Sequence, residues 1–252
     1  MENYYKVCTI IFKSLFLLTS FFFVACSNKE DQNNSLPVTN IPTPSLSIEE
    51  PIAPSEDPVM EIIDLVSFDS INVIINKKRE LSENYVPKEL VKPNVSLMKD
   101  SILLQKEAST AIEVMFAAAK EEGYSLAIGS GYRSYAYQKT LYNNYVSRDG
   151  EKAANRYSAK PGQSEHQTGL AADIGTVSGY CYLKNCFKDT PEGKWLKENS
   201  HLFGFILRYP EEKEEITGYI FEPWHFRYIG VEEASKVYES NLTLEEYYNL
   251  ID

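Results

Sequence analysis

The sequence predicts an α+β fold, a small mostly antiparallel sheet flanked by helices, and three observations carry that expectation. Residues 99–120 repeat their apolar side chains at helical spacing. Several short runs rich in β-branched and aromatic residues, at 124–134, 169–175, 205–210 and 219–230, stand next to glycine or proline. Helical and strand-like segments follow one another without the regular strand–helix–strand alternation of a parallel sheet.

Taken in order, the chain opens with Lys6 and Lys13 ahead of the apolar run SLFLLTSFFFVA, residues 14–25. That run has the length of an export-signal core and is too short to span a bilayer comfortably. Cys26 follows at once, so FVAC reads as a lipobox, with Phe23 where leucine is typical. Residues 1–25 are therefore expected to be a lipoprotein signal peptide and Cys26 the lipidated mature N-terminus. Residues 26–61 are rich in Ser, Asn, Pro and acids. They carry too little apolar surface to offset ordering entropy and read as a disordered tether.

The folded domain is expected over 62–252. INVIIN (71–76) is β-rich, and ENYVPKEL (83–90) reads as an extended or turn segment. The 99–120 helix places Leu103, Leu104, Ala108, Ala111, Ile112, Met115, Phe116 and Ala119 on its apolar side, and Gly123 ends it. A strand over 124–134 runs into a glycine-containing turn. Helices follow over 134–150 and 151–159, the second stopped by Pro161 and Gly162. GLAADIG (169–175) reads as a strand, 194–204 as a helix, and 205–210 and 219–230 as strands. VEEASKVYES and LTLEEYYNLI close the chain as helices, and no internal repeat is visible.

The formal net charge is −11 and the isoelectric point about 4.9. No cluster of Lys and Arg is available to neutralise phosphates, so nucleic acid is excluded as a partner. A basic face for anionic lipid is excluded on the same ground. Of the four cysteines, Cys8 and Cys26 belong to the export segment. Cys181 and Cys186, in CYLKNC, are left as a disulfide or two free thiols, with zinc ligation by the pair the competing reading.

The chain has only three histidines, and one stands in SEHQTGLAADIG, residues 164–175. Together with EPWHFRY (222–228), this stretch offers His166, Asp173, His225 and Glu222. Two imidazoles and one carboxylate suffice for a catalytic zinc that keeps its fourth position for water. The spacing from His166 to Asp173 fits no single helix face, but it fits a loop that turns at Gly169 and returns along a strand. Glu222, linked to His225 through Pro223, suits a base beside the metal better than a fourth ligand. His201, in KENSHLFG, lacks such company and reads as structural.

With these motifs in place, the chain resembles the VanY-type D,D-carboxypeptidase family, zinc peptidases of the bacterial cell wall. That family shares its fold with hedgehog signalling domains and D,D-dipeptidases. The matching stretches are NVIINKKRELSENYVP (72–87), SGYRSYAYQ (130–138), SAKPGQSEHQTGLAADIG (158–175), GFILRYP (204–210) and ITGYIFEPWHFRYIG (216–230). The resemblance implies zinc held by His166, Asp173 and His225, with Glu222 as general base. It implies Arg133 as the group that polarises the scissile carbonyl, and Gln138, Ser164 and Tyr209 as contacts to the stem peptide. The implied activity is removal of a terminal D-alanine from peptidoglycan stem peptides, D,D in type; the lipobox places it outside the cytoplasmic membrane on a lipid anchor, and a tethered monomer is the simpler expectation. Three alternatives stand beside it: L,D-activity on tetrapeptides, cleavage of cross-bridges, and a zinc-containing wall-binding lipoprotein without catalysis. Glu222 separates the last of these, since a pure binder needs no base there.

Overall fold

The computed structural model describes residues 63–251, which fall within the unit Pro58–Asp252. The signal peptide, Cys26 and the tether, all expected before residue 62, lie outside the described residues. Two short strands, β1 (Leu90–Val91) and β2 (Leu104–Gln105), pair antiparallel. Helix α1 (Lys106–Glu121) leads to β3 (Leu126–Ser130), then α2 (Tyr135–Asp149) and α3 (Glu151–Tyr157). A 3-10 turn at Glu165–Thr168 precedes β4 (Ala171–Thr176). The chain continues through α4 (Pro191–Asn199), β5 (Phe205–Leu207), α5 (Glu214–Thr217), β6 (His225–Tyr228), α6 (Val231–Ser240) and α7 (Leu244–Tyr247).

The main sheet has the order β3-β4-β6-β5, and every neighbouring pair is antiparallel. Strand residues alternate between its two faces. Ile128, Ala172, Ile174 and Phe226 turn to one face, where Ile112 and Met115 of α1 and Leu196 of α4 complete the main core. Each of the larger side chains among them contributes about 1.5–3 kcal/mol by leaving water. The odd positions of β4 and β6, Asp173, His225 and Arg227, take the opposite parity, and that face carries the polar site.

Several boundaries differ from the sequence expectation, each for a visible reason. Residues 71–76 are buried at Val73, Ile74 and Ile75 but form no strand; their β-pairing is confined to an isolated bridge, Asn76 with Arg79. The carbonyls of Ile71 and Val73 accept hydrogen bonds from the Arg227 side chain, where a strand would need a neighbouring backbone. The 99–120 helix begins seven residues late, at Lys106, because Leu104 and Gln105 are paired with β1. Helix α4 starts earlier than expected, with Pro191 in its first turn and the Thr190 hydroxyl accepting from Gly193 N–H at 3.0 Å. It gives way to a 3-10 turn over Ser200–Phe203. The strand expected from residue 219 begins only at His225, since Pro223 has no N–H to donate and Glu222 N–H is engaged by the Tyr209 carbonyl.

Candidate metal centre and active site

His166 sits in the 3-10 turn, which Gly169 closes in the left-handed region at φ 71°. Its carbonyl accepts from Arg133 N–H at 3.0 Å, tying the turn to the end of β3. The ring Nδ1 lies 2.7 Å from the Gly131 carbonyl. A carbonyl only accepts, so Nδ1 carries the proton and Nε2 presents its lone pair. Gly131 has no room for a side chain, since a Cβ there would stand 2.4 Å from the Leu103 carbonyl oxygen.

Asp173 and His225 are directly opposite one another in the β4–β6 ladder. Side chains in that relation share a face at close range, and His225 Nδ1 lies 3.2 Å from Asp173 Oδ1. His166 Nε2 lies 3.2 Å from the same oxygen, without hydrogen-bond geometry, and is otherwise a buried atom with no partner. Glu222 reaches the group through a turn in which His225 N–H bonds the Glu222 carbonyl at 3.1 Å, with Pro223 at the second position. Its Oε2 lies 3.6 Å from His225 Nδ1.

The three ligand atoms of His166, Asp173 and His225 lie within 4.8 Å of one another and all three residues are buried. Tetrahedral zinc with bonds of about 2.0–2.1 Å sets its ligand atoms about 3.3 Å apart. Both imidazole-to-carboxylate separations match that edge, and the orphaned lone pair of His166 supplies the remaining test of fit. The donor set therefore suits zinc.

Burial pulls His166 down to about 4, with the Arg133 charge adding to the effect. For His225 burial acts in the same sense but is outweighed by hydrogen bonds to Asp173 and Glu165, which push it up to about 9. Asp173 resists burial through the two histidines and stays well below the usual carboxylate range. Glu222 goes the other way: burial pushes it up to about 8.

A cleft of about 390 Å³ opens in front of this group. All eight residues expected at the site border it: Arg133, Gln138, Ser164, His166, Asp173, Tyr209, Glu222 and His225. Arg133 Nη2 lies 4.0 Å from Asp173 Oδ2. Gln138 donates from Nε2 to the Ala159 carbonyl at 2.7 Å, while its buried Oε1 has no partner. The Tyr209 ring packs against His225 with centroids 4.8 Å apart. His201 is elsewhere, stacked on Tyr238 at 3.7 Å. One wall comes from the loop after β4, where Cys181 and Cys186 form a disulfide and Leu183 borders the cleft.

Three residues of the site went unnoticed in the sequence. Glu165 Oε2 lies 3.4 Å from His225 Nε2, and Arg208 and Arg227 both bond its other oxygen. The one available signal was a charged residue inside each of the apolar runs FILRYP and HFRYIG.

Comparison with known proteins agrees with this geometry. Residues 101–231 match the family model described as VanY, D-alanyl-D-alanine carboxypeptidase. The putative carboxypeptidase YodJ of Bacillus subtilis is 46% identical over 187 residues, covering 73% of this chain and 68% of the relative. Among solved structures, the LdcB LD-carboxypeptidase aligns with a TM-score of 0.69 at 45% identity, over 73% of this chain and 88% of that one. The vancomycin resistance D,D-pentapeptidase VanY in complex with Zn(II) aligns with a TM-score of 0.59 at 31% identity, over 72% and 99%. The fold, the buried donor set and these matches together make the chain a member of the VanY family of D-alanyl-D-alanine carboxypeptidases.

Proposed function

We propose that this chain is a zinc carboxypeptidase that releases the C-terminal D-alanine of peptidoglycan stem peptides outside the cytoplasmic membrane. The observation that carries the proposal is the convergence of His166 Nε2 and His225 Nδ1 on one Asp173 oxygen, with Glu222 3.6 Å beyond. His166, Asp173 and His225 are assigned as ligands. Zinc bound there supplies Lewis acidity, which makes water a usable nucleophile near neutral pH.

Glu222 is assigned as the base that takes the proton of that water and hands it to the departing amine. Its buried carboxyl has the proton affinity for the second half of that task, and a neighbouring cation favours the ionised form needed for the first. Arg133, on the cleft wall, is assigned to the oxygen of the scissile carbonyl, where negative charge develops. Gln138, with its unpartnered Oε1, and Ser164 and Tyr209 are assigned to the peptide and its terminal carboxylate.

The family description supports the D,D reading, pentapeptide to tetrapeptide, as the first choice. A second reading, L,D-cleavage of tetrapeptides, is favoured by one observation: identity to the LD-carboxypeptidase is 45%, against 31% for the D,D-pentapeptidase. Purified protein with zinc, incubated separately with pentapeptide and tetrapeptide muropeptides, tests both by mass. D-alanine released from the pentapeptide alone supports D,D and from the tetrapeptide alone L,D; release from neither sinks the proposal. Lipidation of Cys26, with 26–61 as a tether for a monomeric enzyme, completes it, and metabolic labelling with an alkyne fatty acid tests that anchor through Cys26→Ser.

A further inference from the structure

Behind the two histidines lies a set of charged side chains with no part in the reaction above. Glu165 is buried, and its Oε1 accepts from Arg208 Nε at 2.7 Å and from Arg227 Nη1 at 2.9 Å. Arg208 spends its other nitrogens on Glu245, at 2.9 and 2.6 Å, and Asn76 Nδ2 donates to the same carboxylate at 3.0 Å. Arg227 Nη2 donates to the carbonyls of Ile71 and Val73 at 3.0 and 2.7 Å. Two carboxylates face two guanidiniums, so the unit is balanced in charge. Buried ions survive only with such pairing.

The second oxygen of Glu165 is aimed outside this unit, at Nε2 of His225, 3.4 Å away. A neutral imidazole has one N–H to place. On Nδ1 it would spoil the nitrogen that meets Asp173; on Nε2 it leaves Nδ1 as a lone pair facing the cleft. Anions flank both nitrogens, Asp173 at Nδ1 and Glu165 at Nε2, so once Nδ1 gives up its proton to bind a cation, the Glu165 carboxylate holds the remaining N–H on Nε2. His166 achieves the equivalent with a peptide carbonyl, at Gly131, whereas His225 uses a carboxylate that arginines hold in place.

We infer that Glu165 is a positioning residue for the metal centre: it fixes the N–H of His225 on Nε2, and Arg208 and Arg227 fix Glu165. The inference rests on the zinc reading proposed above. The segment at 71–76 and helix α7 brace the arginines rather than the metal centre itself, since Ile71 and Val73 bond Arg227 while Glu245, with Asn76, bonds Arg208.

Zinc affinity of the folded full domain, measured on chelator-stripped protein by competition with a chromophoric chelator, is the test. Glu165→Gln should weaken zinc about 10- to 100-fold, the usual effect of losing an outer-shell partner, and should alter the visible spectrum of the cobalt(II)-loaded protein. Glu245→Gln disturbs the same arginine one bond further out; it should lower the melting temperature and leave zinc affinity unchanged. Should Glu165→Gln fail to fold, Glu165→Asp, which keeps the charge and shortens the reach, carries the same expected loss. Parental zinc affinity in the folded Glu165 variant, or an equal loss in the Glu245 variant, overturns the inference alone. A parent chain that binds no zinc overturns the zinc reading and this inference with it.

Discussion

Two buried glutamates stand on either side of His225, and the protein treats them in opposite ways. On the inner side burial would raise Glu165, but Arg208 and Arg227 outweigh it and hold the carboxyl far below its usual range. On the cleft side burial pushes Glu222 up to about 8, and the opposing charge of His225 is too weak to reverse it. Among the described residues no arginine pairs with Glu222; its ion-pair partner is His225 at 3.6 Å. Depth in the protein is therefore a poor guide to charge. A carboxylate fixed as an anion suits geometry, and one whose proton is negotiable suits the proton transfer proposed for Glu222.

Breaking the inner side should cost most in stability. Arg208→Met leaves Glu165 and Glu245 buried without their main partner, and the loss should be about 3–5 kcal/mol, read by denaturant unfolding. On the cleft side the expected loss is in rate. Glu222→Gln should lower turnover of the muropeptide about 10²- to 10⁴-fold while equilibrium dialysis still finds one zinc per chain. The two variants should thus exchange symptoms, and a Glu222→Gln protein that turns over normally would end the distinction drawn above. Arg133→Ala comes next, with kcat down about 10²- to 10³-fold and zinc retained.

Protons offer a subtler probe. His225 holds a proton up to about 9 and must surrender it to become a ligand, so zinc affinity should climb by up to about tenfold per pH unit between pH 6 and 9. Competition titrations at fixed ionic strength read this directly; a flat profile contradicts it. The smallest effect concerns chelator-stripped protein. Folded Glu222 keeps its proton to about 8 against an ordinary value of 4.5, and folded His225 to about 9 against 6.5. Both contributions are complete below the ordinary values and are lost as pH rises through the folded ones. The melting temperature of stripped protein should therefore fall from pH 6 to pH 9, and Glu222→Gln should flatten part of that fall.

The cleft side was far more legible in the sequence than the inner side. His166 and His225 announce themselves because the chain has only three histidines, and Asp173 and Glu222 because their spacing from those histidines is restrictive. Glu165, Arg208 and Arg227 are common residues whose meaning lies in partners 43 and 62 positions away, and no local pattern records such pairing. Helix α1 followed from periodicity, and the mixed helix-and-sheet architecture from helical and strand-like segments that follow one another without regular alternation. The segment 71–76 misled because burial of consecutive apolar residues looks the same whether a strand or an arginine side chain satisfies the backbone. Helix α7, four residues long, was overestimated because the apolar and acidic pattern of 242–251 says nothing about where its tertiary contacts stop.

With Asp173 and His225 directly opposed in the β4–β6 ladder, zinc held by the two as proposed would proofread assembly. Sliding either strand by a single residue would swing one of the two groups into the oily layer beneath the sheet, leaving a misaligned chain unable to capture the ion. Uptake of zinc during refolding would then mark the moment at which the sheet locks in step.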